Sequence, residues 1–492
     1  MHLDLSFNSI QGELPRDGFG NLTKLVHLDL GFNYFNGSIP SQLFHLRYLQ
    51  YLDLSFTSFH GTLSGEVASL QNLRVLKLAG TFRLENILVE LPKEIGNMTK
   101  LQQLSLDDNN FFGKIPSSIM NMKGLKILEL NDNSLSMEIP ADIGNLSNIT
   151  SLVLSNNKLT GRIPSSMQKL TKLETLELDN NMLDGEIPSW LFNIKGLKTL
   201  LLGGNHLTWN NNAKIVPRFM LSELSMKSCG LIGEFPNWIS TQKTLKTLDL
   251  SKNQLEGMFP QWLAKMEVEH IVLTDNNLTG SLPPFLFNSH NLVVLLLSRN
   301  NFHGELPSNI GNATALKILV LDYNNFSGKL PASIVNIYAL SSLCLSNNKF
   351  SGNTLPDFRS NERLQLIDLS SNEFSGSIPQ SLAKLQQLTG IDVSNNKLTG
   401  KIPVGNQMDT MDDPSFYANN SGLCGKQIQV LCPEDLPPTK PPRVENKKIW
   451  FSWEGLGIGY AIGFFVTVEI LYLIDSFVPT KPPNYRRQQR RQ

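Results

Sequence analysis

Leucines recur along this chain with a period of about 24 residues, and a polar position keeps phase with them throughout. In one copy Leu152 and Leu154 precede Asn157 and Leu159, and Gly161, Ile163 and Pro164 close the unit. Leu176, Leu178, Asn181, Leu183, Gly185, Ile187 and Pro188 repeat the same order. The position of Asn157 is held by Asn8, Asn33, Thr57, Thr81, Asn109, Asn133, Asn157, Asn181, Asn205, Cys229, Asn253, Asn276, Asn300, Asn324, Asn348, Asn372 and Asn396. A period of this length predicts stacked units, each burying its apolar side against its neighbours. The step from Thr81 to Asn109 is longer, which predicts a short bulging insertion over 83–89.

Each L-x-L pair reads as a short parallel strand with leucines inward, so the residues between and beside them face outward. The inward asparagine offers two donors and an acceptor to backbone groups where the strand turns away. Cys229 can replace it as a small buried residue with a weak S–H donor. Threonine at 57 and 81 is a poorer replacement, so the early repeats should be looser. Proline in the closing L-x-G-x-[IL]-P lacks an N–H and fixes φ, and glycine permits the bend before it. The expected result is an α/β-type leucine-rich-repeat solenoid. It has a parallel concave β-sheet and a mostly irregular convex side with short helical pieces such as Ser165–Lys169.

Five regions follow: repeats over 1–403, a cysteine-bearing cap over 404–435, a Pro-rich charged spacer over 436–454, an apolar stretch over 455–474, and a basic tail over 475–492. The pattern is expected to stop after Pro403. The apolar stretch is long enough to cross a bilayer as one transmembrane helix. Trp450, Phe451 and Trp453 precede it as an interfacial belt, and Arg486, Arg487, Arg490 and Arg491 suit the cytoplasmic face. Gly455, Gly459 and Gly463 share one helix face and let another backbone approach closely. Glu469 is costly in lipid and implies a partner, water access or closeness to the inner interface. At the other end Leu3 and Leu5 already lie inside a repeat, without a basic and apolar leader or a capping unit, which reads as a missing natural start.

Charge alters the picture little, because 43 basic and 43 acidic residues cancel and nothing argues for nucleic acid. No kinase loop or catalytic motif is present, and the eight histidines show no metal-ligand spacing. The chain is therefore read as no enzyme, with no cofactor and no metal. Candidate chemistry lies on the outward strand positions. One acidic face comprises Asp107, Asp108, Glu129, Asp132, Glu174, Glu177 and Asp179, all expected to be solvated. Further along, Val272, Leu296, Val320 and Cys344 form an exposed apolar column flanked by Asp275, Arg299, Asp322 and Tyr323. Contiguous exposed apolar patches mark contact sites, so this column is the favoured ligand site. Cys344, between Leu343 and Leu345, is expected to face outward as an unpaired thiol.

The form L-x-x-L-x-L-x-x-N-x-L-x-G-x-I-P is similar to the plant-specific leucine-rich repeat. The closing order resembles the plant receptor-like proteins, which lack a kinase domain. It runs from the last repeat through Gly422-Leu423-Cys424-Gly425 and Cys432 to a charged segment, one span and a small tail. Against that family, the N-terminal signal and cysteine cap are absent here, and no clear non-repeat island interrupts the later repeats.

The resemblance implies a plasma-membrane receptor with an extracellular N-terminal ectodomain and a cytoplasmic C-terminus. It would bind a peptide, protein or glycan and signal through an adaptor receptor kinase, with a possible co-receptor kinase at the last repeats. Defence is the commoner role in the family, with development the alternative. A soluble inhibitor of a secreted enzyme and a non-signalling decoy are the other readings. Outside the cell, Cys424 and Cys432 should form a disulfide that staples the cap. The sequons at Asn21, Asn36, Asn97, Asn145, Asn148, Asn277, Asn312, Asn325 and Asn419 should carry glycans, though not Asn145 and Asn148 together.

Overall fold

The computed structural model describes residues 1–15, 17–82 and 89–435. They divide into two compact units, one of 1–257 with 272–277, the other of 258–271 with the described residues from 278 onward. The insertion expected at 83–89 falls almost entirely outside the described residues. So do the spacer, the apolar stretch with Gly455, Gly459, Gly463 and Glu469, and the basic tail. Among the described residues no helix is long and apolar enough to cross a membrane.

In the first unit three-residue strands from His2–Asp4 to Thr247–Asp249 pair parallel and in register. The register stacks Leu28, Leu52, Leu76, Leu104, Leu128, Leu152, Leu176, Leu200, Leu224 and Leu248 in one fully buried column. In the second unit Leu295, Leu319, Leu343, Ile367 and Ile391 form the equivalent column. A one-residue slip would turn every leucine outward, so the apolar pattern sets the register.

Asparagine locks that register. Asn157 Nδ2 donates to the carbonyls of Leu154 (3.2 Å) and Ser155 (3.1 Å) in its own unit and of Leu130 (2.9 Å) in the preceding one. Its Oδ1 accepts the Leu135 N–H at 2.9 Å. The same pattern recurs at Asn181 and Asn348, among others. Thr57 supplies a single bond, to the Leu54 carbonyl, and Thr81 bonds only the carbonyls of Leu54 and Ala79. Cys229 makes long sulfur contacts to Lys227 and Leu202, and Asn253 Oδ1 takes the N–H groups of both Cys229 and Leu231.

The far side of each unit is more regular than expected. Ser165–Lys169 is a 3-10 helix entered from Pro164. The stretch around each glycine, however, forms a second set of short parallel strands. These run from Phe111–Gly113 to His206–Thr208 in the first unit and from Asn301–Gly304 to Gly422–Cys424 in the second. Under the second set lies a spine of Phe302, Phe326, Phe350 and Phe374, with ring centroids 6.0, 5.9 and 6.3 Å apart. Side-chain alternation does not announce these strands, because their pairing is between backbones of successive units.

The pattern also continues past Pro403. Asn420 Nδ2 donates to the carbonyls of Val393, Tyr417 and Ala418, and its Oδ1 accepts the Leu398 N–H. The region set apart as a cap thus carries one more turn of the ladder, closed by the Cys424–Cys432 disulfide. Its two inward leucine positions are taken by Ser415 and Tyr417, which hid the repeat.

Candidate ligand-binding face

The acidic residues of the first unit occupy adjoining columns of the strand face. Register aligns Ser105, Glu129, Val153, Glu177, Leu201, Ser225 and Asp249 in one column and places Thr199 beside Glu223 in the next. Most of these carboxylates are satisfied locally. Ser105 Oγ donates to Glu129, Asn131 and Asn156 donate to Asp132, and Asn180 donates to Asp179. Glu174 is exposed and pairs with Lys198 at 2.6 Å. Asp107 is buried and Asp108 half-buried.

Glu177 departs from expectation. Its side chain is only 7% exposed, where the sequence reading made it solvated. The cause is local: its outward neighbours on the flanking strands are Val153 and Leu201, themselves 8% and 3% exposed. Burial, and then the charges of Asp179, Glu223, Glu129 and Asp132, push its carboxyl up to about 8. Glu223, which the sequence reading did not single out, is also raised, mainly by burial and partly offset by Lys246. Its signal was available in the strand register.

The apolar column is corrected more sharply. Leu296, Val320 and Cys344 do stand in register in the second unit. They are only 3%, 6% and 3% exposed, and Val272 in the first unit is 9% exposed. Val294, Ile318 and Ser342 form the adjoining buried column. Short side chains at a strand spacing of about 4.8 Å close over one another, so two such columns leave no exposed apolar patch. What remains open is the flank. Arg299 and Tyr323 are exposed, with the guanidinium 5.0 Å from the ring centroid, a cation–π distance. Asp275 and Asp322 are half-buried. Both free thiols are buried, and desolvation raises Cys344 well above the usual thiol range and Cys229 to about 12, so neither is a poised nucleophile.

The sequence reading also missed an aromatic surface on the first three repeats. His2, His27 and Tyr51 stack at 5.3 and 4.2 Å, and Phe7, Phe32 and Phe56 at 4.3 and 4.8 Å. The register sets Asp4, Asp29 and Asp53 in one column beside the His2–Tyr51 rings. Asp4, His27 and Asp29 bring possible metal-ligand atoms within 4.8 Å of one another. Ser6 and the Gly31 N–H already engage the two carboxylates. The residues come from separate repeats, which is why sequence spacing did not reveal them.

Eight of the nine sequon asparagines are exposed: Asn21, Asn36, Asn97, Asn145, Asn277, Asn312, Asn325 and Asn419. Asn148 is half-buried, donates to the Lys123 carbonyl at 2.8 Å and accepts Lys172 Nζ at 2.6 Å. Glycopeptide mass spectrometry is therefore expected to find Asn145 occupied and Asn148 bare. Asn145→Gln should remove one glycan and Asn148→Gln none; the reverse result would contradict the assignment.

The profile of a leucine-rich repeat region matches residues 60–268, and a leucine rich repeat profile matches 1–59. A single-repeat profile matches 291–313, 315–337, 339–361 and 363–385. Receptor-like protein 46 of Arabidopsis thaliana is 47% identical over 73 residues, which is 13% of this chain and 9% of that protein. The matched stretch is thus under a tenth of the relative's length. The Arabidopsis receptor kinase HAESA, solved with the peptide hormone IDA and the co-receptor SERK1, superposes with a TM-score of 0.67. It is 30% identical, over 86% of this chain and 74% of that one. The plant peptide hormone receptor RGFR1, solved with RGF2, gives a TM-score of 0.61 at 28% identity, over 86% and 74% of the two chains.

Proposed function

The chain belongs to the leucine-rich-repeat family in its plant receptor form, and from that premise we propose a cell-surface receptor-like protein acting in defence. It binds an extracellular peptide on its strand face and signals through a partner receptor kinase. One observation carries the reading. The inward strand position is leucine or isoleucine in repeat after repeat, while the outward positions beside it change from histidine to tyrosine, glutamine, threonine and glutamate. A scaffold that holds its interior constant and varies one face presents that face for recognition. Peptide recognition by the similar receptors supports the ligand class.

The partner is assigned to the apolar stretch 455–474. In lipid, helix association rests on close packing, and the four-residue spacing of Gly455, Gly459 and Gly463 in the sequence is the pattern that suits it. Gly459→Leu combined with Gly463→Leu should leave the protein in membrane fractions and sharply reduce co-purification of a receptor kinase from plant cells. A native protein found only in soluble fractions would overturn the receptor reading. Undiminished co-purification with the double variant would move the kinase contact to the repeats.

A further inference from the structure

We propose that Glu177 is the acceptor for one cationic side chain, arginine or lysine, of an extended ligand lying along the strand face of the first unit. This deepens the receptor reading above and rests on it. Glu177 is more than nine-tenths buried, and among the described residues its carboxylate has no hydrogen-bond or ion-pair partner. It differs in this from Glu129, Asp132, Asp179 and Glu174, each of which accepts a hydrogen bond or ion pair. A carboxylate that keeps only a small opening to water and has no partner is unfavourable as an anion, so a group in this state awaits either a proton or a counter-charge.

The surroundings decide which ligand supplies that charge. The described groups that act on Glu177 are Asp179, Glu223, Glu129 and Asp132, all of one sign. Their summed field attracts a cation and repels an anion. Glu129 lies two strands away, about 9.6 Å at ordinary strand spacing, so it contributes field rather than a shared contact. Val153 and Leu201 on either side of Glu177 are themselves buried, so they keep the carboxylate's surroundings apolar, and the charged head of a lysine or arginine would meet it from the open side of the strand face. Arginine fits best, because its planar fork can donate two parallel hydrogen bonds to one carboxylate.

The site is coupled to a proton. With its carboxyl at about 8, Glu177 is protonated in the unliganded protein at pH 7. An entering guanidinium pairs with the carboxylate, and the displaced proton passes to the buffer. The test uses the full-length protein with fluorescein-labelled hexa-arginine as probe and hexa-citrulline as its uncharged counterpart. Calorimetry at pH 7 in two buffers of different ionisation enthalpy should show about one proton released per peptide bound, and no binding of hexa-citrulline. Glu177→Gln should weaken hexa-arginine binding about tenfold and abolish proton release, while Glu174→Gln changes affinity less than twofold. Leu201→Lys, which supplies an internal ammonium beside the carboxylate, should also abolish the proton release. Equal affinity and equal proton release in wild type and Glu177→Gln would overturn the site, as would hexa-citrulline binding as well as hexa-arginine. Either failure would leave the receptor reading standing, since membrane fractionation and kinase co-purification test that separately.

Discussion

Asn157→Ala is expected to destabilise the first unit by roughly 3–5 kcal/mol, at about 1–3 kcal/mol for each buried polar group left unpaired and allowing for partial rescue by water. The substitution removes three donated bonds and one accepted bond, two of them to the preceding repeat. It therefore unlatches neighbouring units from each other as well as loosening one turn. In a repeat array, stability is close to a sum of unit and interface terms, so the loss should appear locally. Hydrogen exchange should accelerate from about residue 130 to 160, and the urea midpoint of the first unit should fall. Thr57→Ala removes one bond and should cost about 1 kcal/mol. If Asn157→Ala unfolds no more easily than the exposed Glu174→Ala, the ladder is not what holds the register.

A second large effect is expected from pH. The Glu177 carboxyl sits at about 8 in the folded chain, against a model value of 4.5. Below the unfolded value both states hold the proton and nothing is lost. Between the two values the folded state holds a proton that the unfolded state releases, so stability falls as pH rises from about 4.5 to about 8. The loss is on the order of 2–5 kcal/mol, the upper end being the full separation of the two values at 1.36 kcal/mol per unit. Asp29 in the same unit is also raised, chiefly by burial, and adds to the slope. The difference between wild type and Glu177→Gln isolates the glutamate. Thermal melts at pH 5 and pH 8 should show the wild type losing stability and the variant losing much less. Parallel decline in both proteins would show that Glu177 is not the group responsible.

The two faces singled out in the sequence fared differently for one reason. A residue's direction on a strand follows from alternation alone, and Glu177, Leu296, Val320 and Cys344 all lie at the outward positions assigned to them. Exposure depends on what stands on the next strand. Glu174 has a lysine for company and remains solvated, whereas Glu177 has Val153 and Leu201 and does not. The acidic face consequently became more specific, centred on one unpaired group, and the apolar column lost its claim as an open patch.

The repeat period, the inward leucines and the bonding capacity of the asparagines were determined by the sequence itself, because each depends on chemistry repeated at a fixed spacing within one unit. The Cys424–Cys432 disulfide was likewise readable, through the family resemblance and an eight-residue separation. The second set of strands, the extra turn carried by Asn420, the aromatic stacks from His2 to Tyr51 and Phe7 to Phe56, and the burial of Glu177 were decided only in three dimensions. All four arise between residues about 24 positions apart, where one unit's side chain or backbone meets the next. A single repeat read along the chain holds only half of each such contact, and stacking supplies the other half.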